Sequence, residues 1–209
     1  MQFFTFEGGE GSGKSTQAKM LYQAFLNAKL DTILTREPGG SESAEIIRNL
    51  LLNEDTNFYP ITELLLHNAS RYQHARDKIF PALKEKKVVI CDRFVDSTMA
   101  YQGYGHRIGK KMPALLHNLF MEGLAPDLTF ILDIDPSEGL RRANLNNPNR
   151  YEKLGLEFHT RVREGFLEIA NMAKNRCVLM QANDSIENIH RLIVDTVNMY
   201  ANLDLKPIK

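Results

Sequence analysis

The sequence predicts an α/β fold: one domain over residues 1–209, built on a five-stranded parallel sheet with helices on both faces. Three observations predict it. Five short apolar runs rich in β-branched or aromatic residues recur along the chain. Helical apolar periodicity fills the intervals between them. Polar clusters follow the runs, where the carboxyl ends of parallel strands gather ligands.

The first run, Phe3–Phe6, precedes a glycine-rich loop. Beyond the loop, Ala18, Leu21, Tyr22, Phe25 and Leu26 share one helix face. Thr32–Leu34, Val88–Ile90, Leu128–Leu132 and Val178–Met180 are the remaining strands. Asp135-Pro136-Ser137-Glu138 offers an N-cap, a proline at the first helical position and an acid at the third, and Asp184-Ser185-Ile186-Glu187 is similar. Ile186, Ile189, Ile193 and Val197 line one face of the last helix. Asn144-Leu145-Asn146-Asn147-Pro148-Asn149 is a loop between two helices. It reads as a plain surface connection or, because Arg141, Arg142 and Arg150 flank it, as a mobile flap over about residues 141–153.

Hydrophobic residues make up 43% and charged residues 25% of the chain, the profile of a soluble globular protein. Lys+Arg and Asp+Glu each number 26, so the net charge is zero. Without a basic excess or a clustered basic face, nucleic acid is not an expected partner, and phosphate binding should be local. Cys91 and Cys177 have no CxxC spacing, which argues for buried free thiols rather than a disulfide framework or a zinc site. The N-terminus has neither the basic start nor the long apolar stretch of a signal peptide, and no run approaches the roughly 18 apolar residues of a membrane span. The cytoplasm is the expected compartment.

After the first strand stands Gly8-Gly9-Glu10-Gly11-Ser12-Gly13-Lys14-Ser15-Thr16, which matches G-x-x-x-x-G-K-[ST] between a strand and a helix. Its glycines let backbone N–H groups converge on phosphate oxygens, and the helix beginning near Lys14 adds its positive end. Lys14 can reach the β- and γ-phosphates, and Ser15 can ligate Mg²⁺. The expected architecture is therefore a P-loop NTPase that takes ATP. No guanine-reading N-K-x-D occurs. Val88-Val89-Ile90-Cys91 leads to Asp92, suited to a Mg²⁺-bound water, and to Arg93, suited to a phosphate. Arg36, Arg48, Arg71, Arg93, Arg141, Arg142 and Arg150 fall at strand ends, helix starts or the flap. That inventory suits phosphoryl transfer between two phosphate-bearing substrates.

Four stretches together resemble the thymidylate kinase family over nearly the whole chain. They are the loop with Glu10 inside it, Thr35-Arg36-Glu37-Pro38-Gly39-Gly40, Asp92-Arg93-Phe94 with Ser97 and Ala100-Tyr101-Gln102-Gly103, and Pro126-Asp127-Leu128-Thr129 leading to Leu132-Asp133. The resemblance implies transfer of the γ-phosphoryl group of ATP to dTMP, with Mg²⁺, in a homodimer. It implies that Glu10 reads the dTMP 3′-hydroxyl and that Arg36 and Glu37 line the acceptor site. Arg48 and Arg93 match positions near the dTMP phosphate, and Arg71 the arginine that bonds the thymine carbonyl. Ser97 and Gln102 match residues facing the base, and Tyr101 the ring that crowds the sugar 2′ position.

Two positions depart from the family pattern. His67 stands where relatives place a phenylalanine that stacks on the base; imidazole has less area and titrates near neutral pH, so base affinity is expected to be weaker or pH-dependent. Gly11 stands where some members carry a catalytic arginine, and this chain follows the bacterial-type members that use flap arginines instead. Arg150 is the first choice for the transition-state arginine, with Arg141 or Arg142 packing on adenine. The alternatives are a kinase for another nucleotide or for a deoxynucleoside, with Glu37 as base, and a non-catalytic nucleotide-binding regulator.

Overall fold

Alternation along β1 (Gln2–Gly8) sets the layers: Phe4 and Phe6 pack on one side of the sheet, and Phe3, Thr5 and Glu7 point to the other. The computed structural model describes residues 2–143 and 150–208. β2 (Thr32–Arg36), β3 (Val88–Asp92), β4 (Leu128–Asp133) and β5 (Cys177–Gln181) complete a sheet of order β2-β3-β1-β4-β5 in which every pairing is parallel. All five expected strands are present. The order puts β1 between β3 and β4, so the loop after β1 and the turn after β3 emerge side by side.

On the first face, α1 (Lys14–Asn27) and α9 (Ile186–Ala201) cover Phe4, Phe6, Ile90 and Phe130 with Leu21, Phe25, Ile193 and Val197. Removing each of these side chains from water contributes about 1.5–3 kcal/mol. The second face holds two clusters. Phe3, Ile79, Val89, Phe94 and Met121 form one. Tyr101, Ile131, Phe158, Val162 and Phe166 form the other, under α8 (Leu156–Met172).

Between β2 and β3 run α2 (Glu42–Leu52), α3 (Pro60–His74), a π-helical stretch (Ala75–Ile79) and α4 (Phe80–Lys84). After β3 come the short α5 (Val95–Thr98), a second π-helical stretch (Met99–Gly105) and α6 (Lys111–Phe120). α7 (Pro136–Ala143) follows β4, and a 3₁₀ turn (Arg150–Leu154) leads into α8. The loop segment 144–149 lies outside the described residues. α9 is capped one residue later than its sequence pattern suggests: Ser185 is the N-cap and accepts from Asn188 N at 3.2 Å, while Asp184 accepts from Ser185 N at 2.7 Å. Cys91 and Cys177 are buried free thiols.

Candidate active site

The turn from β1 into α1 forms the floor of the site. Gly11 and Gly13 take φ of 65° and 89°, a region that side-chain-bearing residues seldom adopt. Ser12 Oγ donates to Gly9 O at 2.9 Å, and Lys14 Nζ to Gly9 O at 2.5 Å and to Ser12 Oγ at 3.1 Å. Lys14 is buried, which pushes its ammonium down to about 8; Arg93 adds to the effect, and the nearby carboxylates oppose it.

Arg93 follows β3 with φ 68°, unusual for a residue that is not glycine. Its N–H is tied to Phe6 O at 2.9 Å, and the next amide, Phe94 N, to Glu7 Oε1 at 2.7 Å. So held, its guanidinium donates to Gly8 O at 3.0 Å, Ser97 Oγ at 3.1 Å, Glu10 Oε1 at 3.0 Å and Tyr101 OH at 3.2 Å. Burial pushes the Glu10 carboxyl up, but Arg93 and Lys14 outweigh it and hold the group at about 2. Tyr101 OH also donates to Glu10 Oε1, at 2.7 Å, so the two groups that the resemblance assigns to the sugar lie together. Ser97 Oγ donates to Glu7 Oε2 at 2.5 Å and accepts from Arg93, which makes it a bridge behind the arginine.

The wall is α3 with the segment after β2. Arg71 donates from Nε to Glu37 Oε2 at 2.7 Å, and from Nη2 to Phe94 O at 3.1 Å and Thr98 Oγ1 at 2.6 Å; its buried Nη1 has no partner. In the same cleft, Gln102 Nε2 donates to Glu63 Oε1 at 2.9 Å and leaves its own Oε1 buried without a partner. Arg48 donates to Pro38 O at 2.6 Å, and the exposed Arg36 to Glu45 Oε1 at 2.9 Å. A donor and an acceptor among the residues of one cleft, both unsatisfied, suit a ligand edge that offers a carbonyl beside an N–H.

These groups line one cleft of ≈ 530 Å³. It brings together Glu10, Gly11, Gly13, Lys14, Ser15, Thr16, Arg36, Glu37, Arg48, His67, Arg71, Asp92, Arg93, Ser97, Tyr101, Gln102 and Arg142. Gly8 and Gly9 border a smaller adjoining cavity, and Ser12 is buried with its hydroxyl turned to Gly9 O. Arg141 is exposed and pairs with Glu138. Arg142 pairs with Glu138 at 2.7 Å and donates to Ala182 O at 3.1 Å. Arg150 is not part of the cleft lining; it pairs with Glu63 Oε2 at 2.9 Å and reaches Leu51 O at 3.3 Å.

His67 is half-buried, and packing around it pushes the imidazole down to about 4. It is therefore neutral around pH 7, which removes the physical basis for a pH-dependent base affinity near neutrality. Its Nε2 lies 2.8 Å from Tyr151 OH. Tyr151, Glu63 and the buried Glu7 were not singled out by the sequence reading. One signal was available: Glu63, His67 and Arg71 are spaced four apart on one helix and so share a face.

Asp92 Oδ2 accepts from Ser15 Oγ, while Asp92 Oδ1 is buried and has no hydrogen-bond partner. One carboxylate and one hydroxyl at the foot of a phosphate loop fit Mg²⁺, which keeps several waters and takes its other oxygens from substrate phosphates. The other strand-end acid, Asp133, is taken up by Arg163 at 2.7 and 2.8 Å.

A family model described as thymidylate kinase matches residues 6–193. A thymidylate kinase of Wolbachia pipientis subsp. Culex pipiens (strain wPip) is 46% identical over 199 residues, 93% of this chain and 95% of that protein. One of Acholeplasma laidlawii (strain PG-8A) is 43% identical over 199 residues, 93% of this chain and 98% of that protein. A solved structure of thymidylate kinase from Ehrlichia chaffeensis superposes with a TM-score of 0.79 at 37% identity, covering 95% of this chain and 98% of that one.

Proposed function

The chain belongs to the thymidylate kinase family and transfers the γ-phosphoryl group of ATP to dTMP, giving dTDP and ADP; on that premise we propose how its residues divide the work. The observation that carries the assignment is the single cleft joining the phosphate loop to Arg36, Arg48, Arg71 and Arg93. The loop amides and Lys14 hold the ATP phosphates. Arg36, Arg48 and Arg93 hold the dTMP phosphate in line with them. Arg71 Nη1 and Gln102 Oε1 take the base edge, with Glu37 orienting Arg71. Glu10 and Tyr101 take the sugar, and Ser97 backs Arg93. Ser15 and Asp92 would hold Mg²⁺, Asp92 partly through water, and the ion when bound supplies positive charge shared between phosphate oxygens.

The dTMP phosphate is itself the nucleophile, so no residue has to remove a proton. Catalysis is alignment and charge neutralisation by Lys14, Arg93 and Arg142. Of the arginines flanking the loop, Arg142 lines the cleft, which favours it over Arg150 for the transferred group. Arg150, paired with Glu63, anchors the far end of the flap, and Arg141, exposed and paired with Glu138, is the arginine that packs on adenine.

The proposal includes a cytoplasmic location and a homodimer. No helix among the described residues is long and apolar enough to cross a membrane. Ile46 of α2, Ile61 and Leu65 of α3, and Leu115 and Leu119 of α6 are exposed apolar residues in helical stripes, and Tyr72 of α3 meets Phe120 of α6 at 6.5 Å. A second copy of the chain would cover this face.

The test is ADP release with ATP and Mg²⁺ against dTMP, dUMP, UMP, AMP, dCMP and thymidine. Strong preference for dTMP is expected. Turnover only with thymidine or another monophosphate would overturn the acceptor site, and turnover independent of any acceptor would overturn the kinase reading.

A further inference from the structure

Glu63 is a fully buried carboxylate on α3 whose only part so far is to pair with Arg150. Its Oε1 accepts from Gln102 Nε2 at 2.9 Å and His106 Nε2 at 3.0 Å, and its Oε2 lies 2.9 Å from Arg150 Nη1. The Tyr151 hydroxyl is also hydrogen-bonded to it. Burial pushes the carboxyl up, but the bonds from His106 and Gln102 outweigh that and hold it at about 2.

An ionised carboxylate only accepts hydrogen bonds, and that dictates the polarity of everything around it. Gln102 must turn its amino group to Glu63, so its carbonyl oxygen, which has no partner, is the end left for a ligand. Tyr151 must spend its hydroxyl hydrogen on Glu63. Its oxygen then accepts from His67, 2.8 Å away, which requires the proton on Nε2 and leaves Nδ1 with a lone pair. Gln102, His67 and Tyr151 line the same cleft as Arg71, whose Nη1 has no partner.

We propose that Glu63 is a positioning residue that sets the hydrogen-bond polarity of the base end. It makes acceptors of Gln102 Oε1 and His67 Nδ1 while Arg71 remains the donor. That pattern takes a pyrimidine imide, whose N–H lies beside a carbonyl. It rejects cytosine, which offers a ring lone pair and an amino group at the same edge. The inference rests on the reading that dTMP places its base between Arg71 and Gln102.

Glu63→Gln, made in the full chain, tests it. The amide keeps the shape but can donate, so Gln102 and Tyr151 are free to reverse. The dTMP KM is expected to rise about tenfold, the effect of one misdirected buried hydrogen bond, with kcat within about twofold of the parent. The preference for dTMP over dCMP is expected to fall by a similar factor, with the ATP KM unmoved. An unchanged dTMP KM and dCMP ratio would overturn the inference. Gln102→Ala separates the two readings: a raised dTMP KM there alone leaves the base site standing without Glu63, and no effect in either variant overturns both.

A second measurement does not depend on that variant folding. The ¹⁵N side-chain spectrum of His67 in the parent protein is expected to show the Nε2–H tautomer, and in Tyr151→Phe to lose it. An Nδ1–H tautomer in the parent, or no change in Tyr151→Phe, would overturn the relay.

Discussion

Nε of Arg71 lies 2.7 Å from Oε2 of Glu37, with 3% and 4% of their side chains exposed. The same carboxylate meets His74 Nδ1 at 3.1 Å through its other oxygen. Burial pushes Glu37 up, but the Arg71 charge and the His74 bond outweigh it, so Glu37 is an occupied anion. A carboxylate committed to two partners is poorly placed to take a proton from a nucleoside hydroxyl. Glu37→Ala leaves a buried guanidinium unpaired and is expected to cost about 3–5 kcal/mol in urea unfolding. Arg71→Lys removes the fork and is expected to raise the dTMP KM on the order of tenfold or more with kcat less affected. A kcat loss at constant KM would contradict the binding role of Arg71.

Lys14→Met removes the one ammonium buried in the phosphate loop. Loss of a positioned charge at the transferred group is expected to lower kcat about 10²–10³-fold. Thermal stability at pH 7 should hold or rise, because burial already disfavours the charged amine. A large loss of stability would show that Lys14 holds the loop rather than the phosphates.

A side chain at Gly11 has no room. A Cβ there would come within 2.1 Å of Gly139 O and 3.0 Å of Arg142 Cβ, so Gly11→Ala must displace α7. Shifting Arg142 out of line is expected to lower kcat on the order of 10²-fold. The effects of Gly11→Ala and Arg142→Ala should be less than additive, since both disturb one contact; full additivity in the double variant would refute the coupling.

Glu7 supplies a pH dependence with a defined sign. Burial, and then the charge of Asp96, raise its carboxyl from 4.5 to about 8. The folded chain therefore keeps a proton that the unfolded chain releases above about pH 4.5. The associated stability is complete below that value and is lost as pH rises towards and through 8. Glu7→Gln stays neutral and escapes the loss. In parallel denaturant titrations the gap between Glu7→Gln and the parent should widen by a few kcal/mol from about pH 5 to about pH 8, then level off. A constant gap would mean that Glu7 is ionised throughout.

Leu115 and Leu119 of α6 are 61% and 66% exposed, so a charge there leaves the core alone. In sedimentation, the parent is expected to run at twice the chain mass and Leu115→Glu/Leu119→Glu at the chain mass, with an unchanged far-ultraviolet spectrum. A parent that sediments as a monomer would end the homodimer proposal.

The strands were legible because each is an apolar run of the right length, and the phosphate loop because its residues are contiguous. His67 was legible as a departure, but not its consequence. Its partner Tyr151 is 84 residues away in sequence, and only packing brings the two hydroxyl and ring atoms to 2.8 Å. Arg150 shows the same limit. From sequence it reads as an arginine beside the phosphates, but a buried carboxylate on α3, 87 positions earlier, holds it elsewhere. Glu7 lies beyond the apolar run Phe3–Phe6 and was not singled out; the strand runs on to Gly8, and period-two alternation turns Glu7 inward, next to Phe94 N and Ser97.

By itself the sequence determined the α/β class, the five strands, the phosphate loop and the residue types that can hold two phosphate-bearing substrates, because local periodicity and contiguous motifs encode them. Only the tertiary structure decided the strand order, the left-handed turn at Arg93, the partners of Arg71 and Arg150, and which end of Gln102 faces the cleft. Those depend on where separate segments bury polar groups against one another, and a buried donor or acceptor must find its partner wherever the fold has placed one.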